Sequence, residues 1–338
     1  MPRVLYVGPG HDDFLADGLF HGLRTVLGAD AVDWPRLDHL YEDFPAERRR
    51  ELHGLGFTLA GLLPDDREVD RTRALYRAAG GAYDLVVFAD ILRTFGLFTQ
   101  WMPPLRAAGV PMAVIDTSDR IEPYPWSGVW WRKRVWWTLP RAHRRAHYFK
   151  REVTPWTYWF RTYLLVPGPI AERLPLLRGM KPISFSIPER FVVAEPPPKE
   201  KDWPAHVVDP GVAARVGAQT EYAFADADAY HGDLRRSRFG VTTKKAGWDA
   251  LRHYEIAAAG AVPCFRDLDR KPPRSAPFGL DRSNTIVYSD AADLLAQVAA
   301  LDDAGYARLQ QGALAWARRS TTEVRAREFL AACGLDAP

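Results

Sequence analysis

Twice along this chain, short apolar runs closed by glycine, proline or aspartate alternate with stretches of helical spacing, and this alternation restricts the fold more than any other feature. A strand that is apolar throughout must be covered on both faces. Helices returning between successive strands do this in a parallel, doubly wound sheet. The first series opens with RVLYVGPG, a buried strand and a tight loop. Next, DDFLADGLFHGLRTVLG places Phe14, Leu15, Leu19, Phe20, Leu23 and Leu27 at helical spacing, with Asp12 or Asp13 to cap the start and Gly28 to end it. YDLVVFADI and VPMAVIDTSD read as two further strands with room for a helix between them. The second series runs RFGVTT (strand), GWDALRHYEIAAAG (helix from about Trp248), AVPCF and NTIVYS (strands), and then helices at AADLLAQVAALD and GYARLQQGALAWARR. STTEVRAREFLAAC closes the chain, with Ser320 and Glu323 at capping-box spacing.

Between the two series lies KPISFSIPERFVVAEPPPKEKDWP, whose three consecutive prolines forbid a helix or a sheet interior, although PISFSIP has the look of a strand. The expected organisation is a Rossmann-like unit over 1–180, a proline-rich hinge over 181–204 and a second Rossmann-like unit over 205–338. The last helix is free to pack back on the first unit. A length of 338 residues suits two such units. Two cysteines provide neither a disulfide framework nor a metal cluster, and MPRVLYVGPG lacks the layout of a signal peptide, so a cytoplasmic protein is expected.

Chemistry concentrates where the second series turns from strand to helix. Ligands of open α/β sheets bind at the carboxyl ends of strands, where helix N-termini present unpaired N–H groups and partial positive charge. Here RFGVTT ends in KKAG, so Lys244, Lys245 and Gly247 make a seat for a diphosphate. Arg252 and His253 flank the same face. Glu255, two turns along, lies too far to meet that phosphate but can accept from the hydroxyls of an attached ribose.

HYEIAAAGAVPCF resembles the carboxy-terminal donor-binding motif of GT-B glycosyltransferases, especially the family-4-like, CgeB-type and exostosin-like members. The resemblance covers about Ser237 to Leu295 and is only architectural before that. It implies an α/β, GT-B fold of two Rossmann-like doubly wound domains facing each other across a cleft, with Glu255 holding the ribose of an NDP-sugar donor. It also implies metal-independent transfer of a sugar to an acceptor hydroxyl, with no cofactor besides the donor substrate. Family-4 enzymes often carry an earlier glutamate, and that position is Gly247 here, with Asp249 the nearest acid. The stereochemical outcome therefore stays open.

Transfer to a hydroxyl needs a base. His11 and Asp12 follow the first glycine-rich loop, and Asp116 and Asp119 end another strand on the same sheet edge. His11, Asp12 and Asp119 are the candidate catalytic residues. The triplet Asp226–Ala227–Asp228 matches a metal-binding pattern too short to carry weight, and no metal is expected. Two other classes share the pattern: a Rossmann-type oxidoreductase, for which GPGHDD lacks the third glycine, and a non-catalytic, membrane-associated nucleotide-sugar-binding protein.

One segment stands apart. Between Trp126 and Tyr163 there are nine Lys/Arg against one acid, Glu152, which gives +8 and leaves −5 for the rest of a chain of net charge +3. It also holds seven of the twelve tryptophans. Such a segment suits an anionic membrane surface and a lipid-linked acceptor, or an aromatic core with a basic rim lining the cleft; a nucleic-acid partner is not expected.

Overall fold

The structure, a computed structural model, describes residues 1–119, 146–153, 180–221 and 224–336. Most of the tryptophan-rich basic segment, and with it the membrane reading, lies outside the described residues. Among those residues, no helix is long and apolar enough to cross a membrane.

The first half builds a sheet in the order β2-β1-β3-β4-β5-β6, every pair parallel. Its strands are β1 (Val4–Val7), β2 (Ala31–Trp34), β3 (Leu85–Phe88), β4 (Met112–Asp116), β5 (His147–Lys150) and β6 (Met180–Pro182). Successive side chains alternate faces. Val4 and Tyr6 face α1 (Phe14–Leu27), whereas Leu5 and Val7 face α2 (Ala74–Ala79) and α3 (Ile91–Ala107). Asp13, not Asp12, caps α1, its Oδ1 accepting from the N–H groups of Leu15 and Ala16 at 3.0 and 2.9 Å.

The second half carries β7 (Phe239–Thr242), β8 (Val262–Arg266) and β9 (Ile286–Tyr288), again parallel, with α6 (Leu251–Ala258) crossing from β7 to β8. Two helices precede this sheet, α4 (Pro210–Val216) and α5 (Ala227–Arg236). Three follow it: α7 (Ala291–Ala299), α8 (Asp303–Arg318) and α9 (Thr322–Ala332). Gly260 ends the α6 turn at φ 67°, pressed against Pro196 and Val193.

Helix α9 lies on α1. A Cβ at Gly22 would collide with the Thr322 carbonyl, so glycine there is what lets the two helices approach. Phe329 packs on Phe149 of β5 at 4.8 Å.

Three local expectations are corrected. Helix α6 starts at Leu251, not near Trp248, with Ala246–Ala250 forming an irregular turn before it. Thr321, not Ser320, caps α9, while Glu323 accepts from the Glu189 N–H and the Thr322 hydroxyl. PISFSIP contributes only Pro182 to a strand; beyond it the chain runs between the halves, with the Phe185 N–H on Asp249 and the Val193 N–H on the Ala258 carbonyl.

Candidate functional site

The carboxyl ends of both sheets converge on a cavity of about 340 Å³. Thr242, Thr243, Lys245, Gly247, the first turn of α6, Arg252 and Glu255 line it from the second half. Phe14, His53, Thr58, Asp119, Arg151 and Phe185 line it from the first half and the segment beyond β6. The N-cap of α6 is Ala250, which has no side chain able to accept from the first-turn N–H groups. That helix end opens into the cavity with its positive pole uncapped by any carboxylate of its own.

Glu255 sits on α6, only 6% exposed. The Thr58 hydroxyl donates to its Oε1, and the Tyr230 hydroxyl donates to Oε2 at 2.6 Å. Thr58 belongs to a strap from the first half whose Leu55 and Phe57 pack with Tyr230 and Ile256. The Phe57 carbonyl meets His231 Nε2 at 3.3 Å. Lys245 reaches the cavity, and desolvation with Arg252 nearby holds its pKa below the ordinary lysine value.

The lone acid of the basic segment, Glu152, crosses to the other half. Its Oε1 accepts from the Trp248 N–H at 2.7 Å and the Asp249 N–H at 3.4 Å. A Cβ on Gly247 would collide with that same oxygen and stand 2.8 Å from Asp119 Oδ1. Two carboxylates from the first half thus occupy the space that a side chain at Gly247 would take. Arg151 forms an ion pair with Asp119 and lies over the Phe185 ring at 4.5 Å. Asp249 accepts from the Phe185 N–H at 2.7 Å and the Tyr254 hydroxyl at 2.9 Å, and burial pushes its pKa up to about 6.

Of the residues expected to bind the donor, the structure brings Lys245, Gly247, Arg252 and Glu255 to this cavity. Lys244 turns away over the Trp248 ring, 5.7 Å from its centre, and lines a neighbouring cavity with Asp209, Arg266 and Arg270. His253 is fully buried and does not line the cavity. Its Nε2–H donates to the Trp248 carbonyl at 2.9 Å, which leaves Nδ1 to accept from the Thr242 hydroxyl at 2.7 Å. Stacked on Phe265 and buried, its pKa falls to about 4, and it stays neutral.

Among the expected catalytic residues, Asp119 lines the cavity. His11 and Asp12 line neither this cavity nor the one beside it on the first half. His11 Nε2 lies 3.4 Å from Asp90, and Asp12 accepts from both the backbone N–H and Nδ1 of His53 at 2.6 Å. Despite partial burial, these contacts hold Asp12 below the usual carboxylate range. Asp116 is buried under the Tyr148 hydroxyl at 2.6 Å and Lys150 at 3.2 Å, and Asp226 caps α5. The sequence singles out neither Thr58 nor Arg151 nor Glu152 as a site residue, although YFKRE, which holds the last two, reads as ion pairing across the hinge. The single acid within a strongly basic stretch was the available signal for Glu152.

No protein-family model matches this sequence, and no curated protein matches it. Solved structures do. A crystal structure of Anabaena HepE in complex with UDP matches at a TM-score of 0.56 and 10% identity, covering 99% of this chain and 100% of that one. The fold is GT-B. HepE with UDP and glucose gives 0.55 at the same identity and coverage. A glycosyltransferase from Rickettsia africae ESF-5 gives 0.53 at 7% identity, covering 98% of this chain and 97% of that one. At such identities the likeness is one of fold. In GT-B terms the cavity is the cleft between two Rossmann-like sheets.

Proposed function

We propose that this chain is a glycosyltransferase that moves a sugar from an NDP-sugar to an acceptor hydroxyl, with residues 205–338 holding the donor and 1–180 the acceptor. The observation that carries this reading is the uncapped N-terminus of α6, which opens into the cleft between Lys245 and Arg252. Two cationic side chains at a helix end that no side chain caps suit a diphosphate, and they are in place before it arrives. As the bond from sugar to diphosphate breaks, negative charge grows on the departing phosphate, and the same groups stabilise it. Glu255 lies one turn further along the cleft wall, where a ribose joined to that diphosphate would reach it. Each carboxylate oxygen has a second acceptor site, so a diol can bind beside Thr58 and Tyr230 or replace Thr58. The complexes of HepE with UDP and UDP-glucose support a uridine diphosphate sugar as the first donor to try.

Calorimetry with a nucleoside diphosphate against its bare nucleoside tests the reading. Tight binding that depends on the diphosphate, followed by release of that diphosphate in the presence of acceptor, is expected. A chain that binds neither NDP nor NDP-sugar is not this enzyme.

A further inference from the structure

A second cavity, of about 400 Å³, opens on the first half at the carboxyl ends of β1, β3, β4 and β5. It shares Phe14, His53, Asp119, Arg151 and Phe185 with the cleft, so the two cavities adjoin along these side chains. Asp13, the chain neighbour of the shared Phe14, lines it too, as does Asp90.

Resting on the donor reading above, we propose that this second cavity is the acceptor site, that it takes an uncharged polyhydroxylated molecule of the saccharide class, and that Asp13 receives the proton of the attacking hydroxyl.

Charge and shape carry the class. Arg93 is tied to Asp90 at 2.5 Å and Arg151 to Asp119, so among the described residues the guanidinium groups of the lining are already neutralised. A phosphate- or carboxylate-bearing acceptor would need free cations there. What remains is a set of fixed acceptors and donors for hydroxyls beside the Phe14 and Phe185 rings, which meet edge to face at 6.1 Å. Carboxylates beside an apolar wall suit a sugar ring, which presents hydroxyls at its edge and C–H bonds on its face.

Asp13 carries the base role by position. Its Oδ1 is spent on the α1 cap, while Oδ2 meets no hydrogen-bond partner among the described residues. Burial, with Asp17 and Asp90 alongside, raises its pKa to about 6, against the opposing pull of the Ala16 N–H and Arg151. A carboxylate of that basicity is ionised at neutral pH and accepts a proton more readily than an ordinary aspartate. In the step, the acceptor O–H proton passes to Asp13 and the oxygen bonds to the anomeric carbon. The bond from that carbon to the diphosphate oxygen breaks, and its electron pair leaves with the nucleoside diphosphate.

The experiment uses the full chain, an NDP-sugar that it binds, and two acceptor sets: neutral methyl glycosides with disaccharides, and a polyprenyl phosphate. Transfer to the neutral set is expected. In Asp13→Asn, which keeps the cap because asparagine caps as well as aspartate, NDP affinity should stay within about twofold while turnover falls about 100-fold or more. The wild-type rate should decline below about pH 6, and the variant should lack that decline. Leu92→Trp, at an exposed position on the rim, should raise the acceptor KM and leave the donor KM alone. Transfer to the polyprenyl phosphate alone, or full turnover by Asp13→Asn with an unchanged pH profile, overturns the inference and leaves the donor reading standing. Failure to bind any NDP-sugar removes both.

Discussion

The hydroxyl of Thr58, on a strap from the first half, donates to the Glu255 carboxylate on α6, so the two halves of the chain meet on the group placed to recognise the donor. The pair separates two roles of one carboxylate. Thr58→Val leaves Glu255 buried with a donor missing and should cost about 1–3 kcal/mol of stability without weakening NDP binding. Glu255→Gln replaces a charged acceptor by a neutral one and should weaken nucleotide binding about 10- to 150-fold. Melting curves and calorimetry on both variants check the split. Unchanged affinity in Glu255→Gln would remove the ribose assignment.

The two neighbouring lysines should behave differently. Lys245 lines the cleft, whereas Lys244 lies over Trp248 and faces the adjoining cavity. Lys245→Ala should weaken a nucleoside diphosphate about tenfold or more and leave the bare nucleoside almost unaffected. Lys244→Ala should change both by little. Equal losses on the two ligands in Lys245→Ala would sink the phosphate role.

Gly247→Ala probes the closed contact between the halves. A methyl there collides with Glu152 and stands 2.8 Å from Asp119 Oδ1, so either these carboxylates leave the Trp248 N–H and Arg151 or the turn before α6 shifts. Overpacking of this kind costs about 1–3 kcal/mol. The expected result is a lower thermal midpoint together with a weaker donor, because the turn that moves leads into the helix end that would hold the diphosphate. Wild-type stability in this variant would mean that the carboxylates yield freely.

The parallel sheets were legible because β1, β3, β4, β7 and β8 are unbroken apolar runs next to turn residues. β2 was not, since AVDW carries Asp33, a fully buried acid satisfied by the Leu37 N–H, the Tyr41 hydroxyl and Arg71. β5 hid for the same reason. Lys150 reads as surface, yet it is fully buried against Asp116. A pattern of hydrophobicity cannot show a charge whose partner lies far along the chain. The cleft itself followed from the rule that sheets bind ligands at strand carboxyl ends. Which histidine or aspartate faced it did not, because His253 and Asp12 are claimed by partners that only tertiary packing supplies. Asp13 was visible as a cap, but its place in the second cavity was not.

Asp249 makes the stability of the closed arrangement depend on pH. It is buried, it accepts from Phe185 and Tyr254, and its pKa rises to about 6, chiefly through burial with Glu152 adding to it. A carboxyl whose pKa is higher folded than unfolded binds more protons in the folded state between the two values, so its contribution to stability declines as pH rises from about 4 to about 6. Asp249→Asn stands in for the protonated form and does not titrate. The stability of the variant relative to wild type should therefore rise across that interval, by on the order of 2–3 kcal/mol, and level off above it. Other carboxylates titrate in the same range, but they do so in both proteins and cancel in the difference. Urea midpoints at pH 4, 5, 6 and 7 measure it. A difference that stays flat would show that Asp249 remains ionised throughout, its charge held by Arg151 and the Phe185 N–H against the cost of burial.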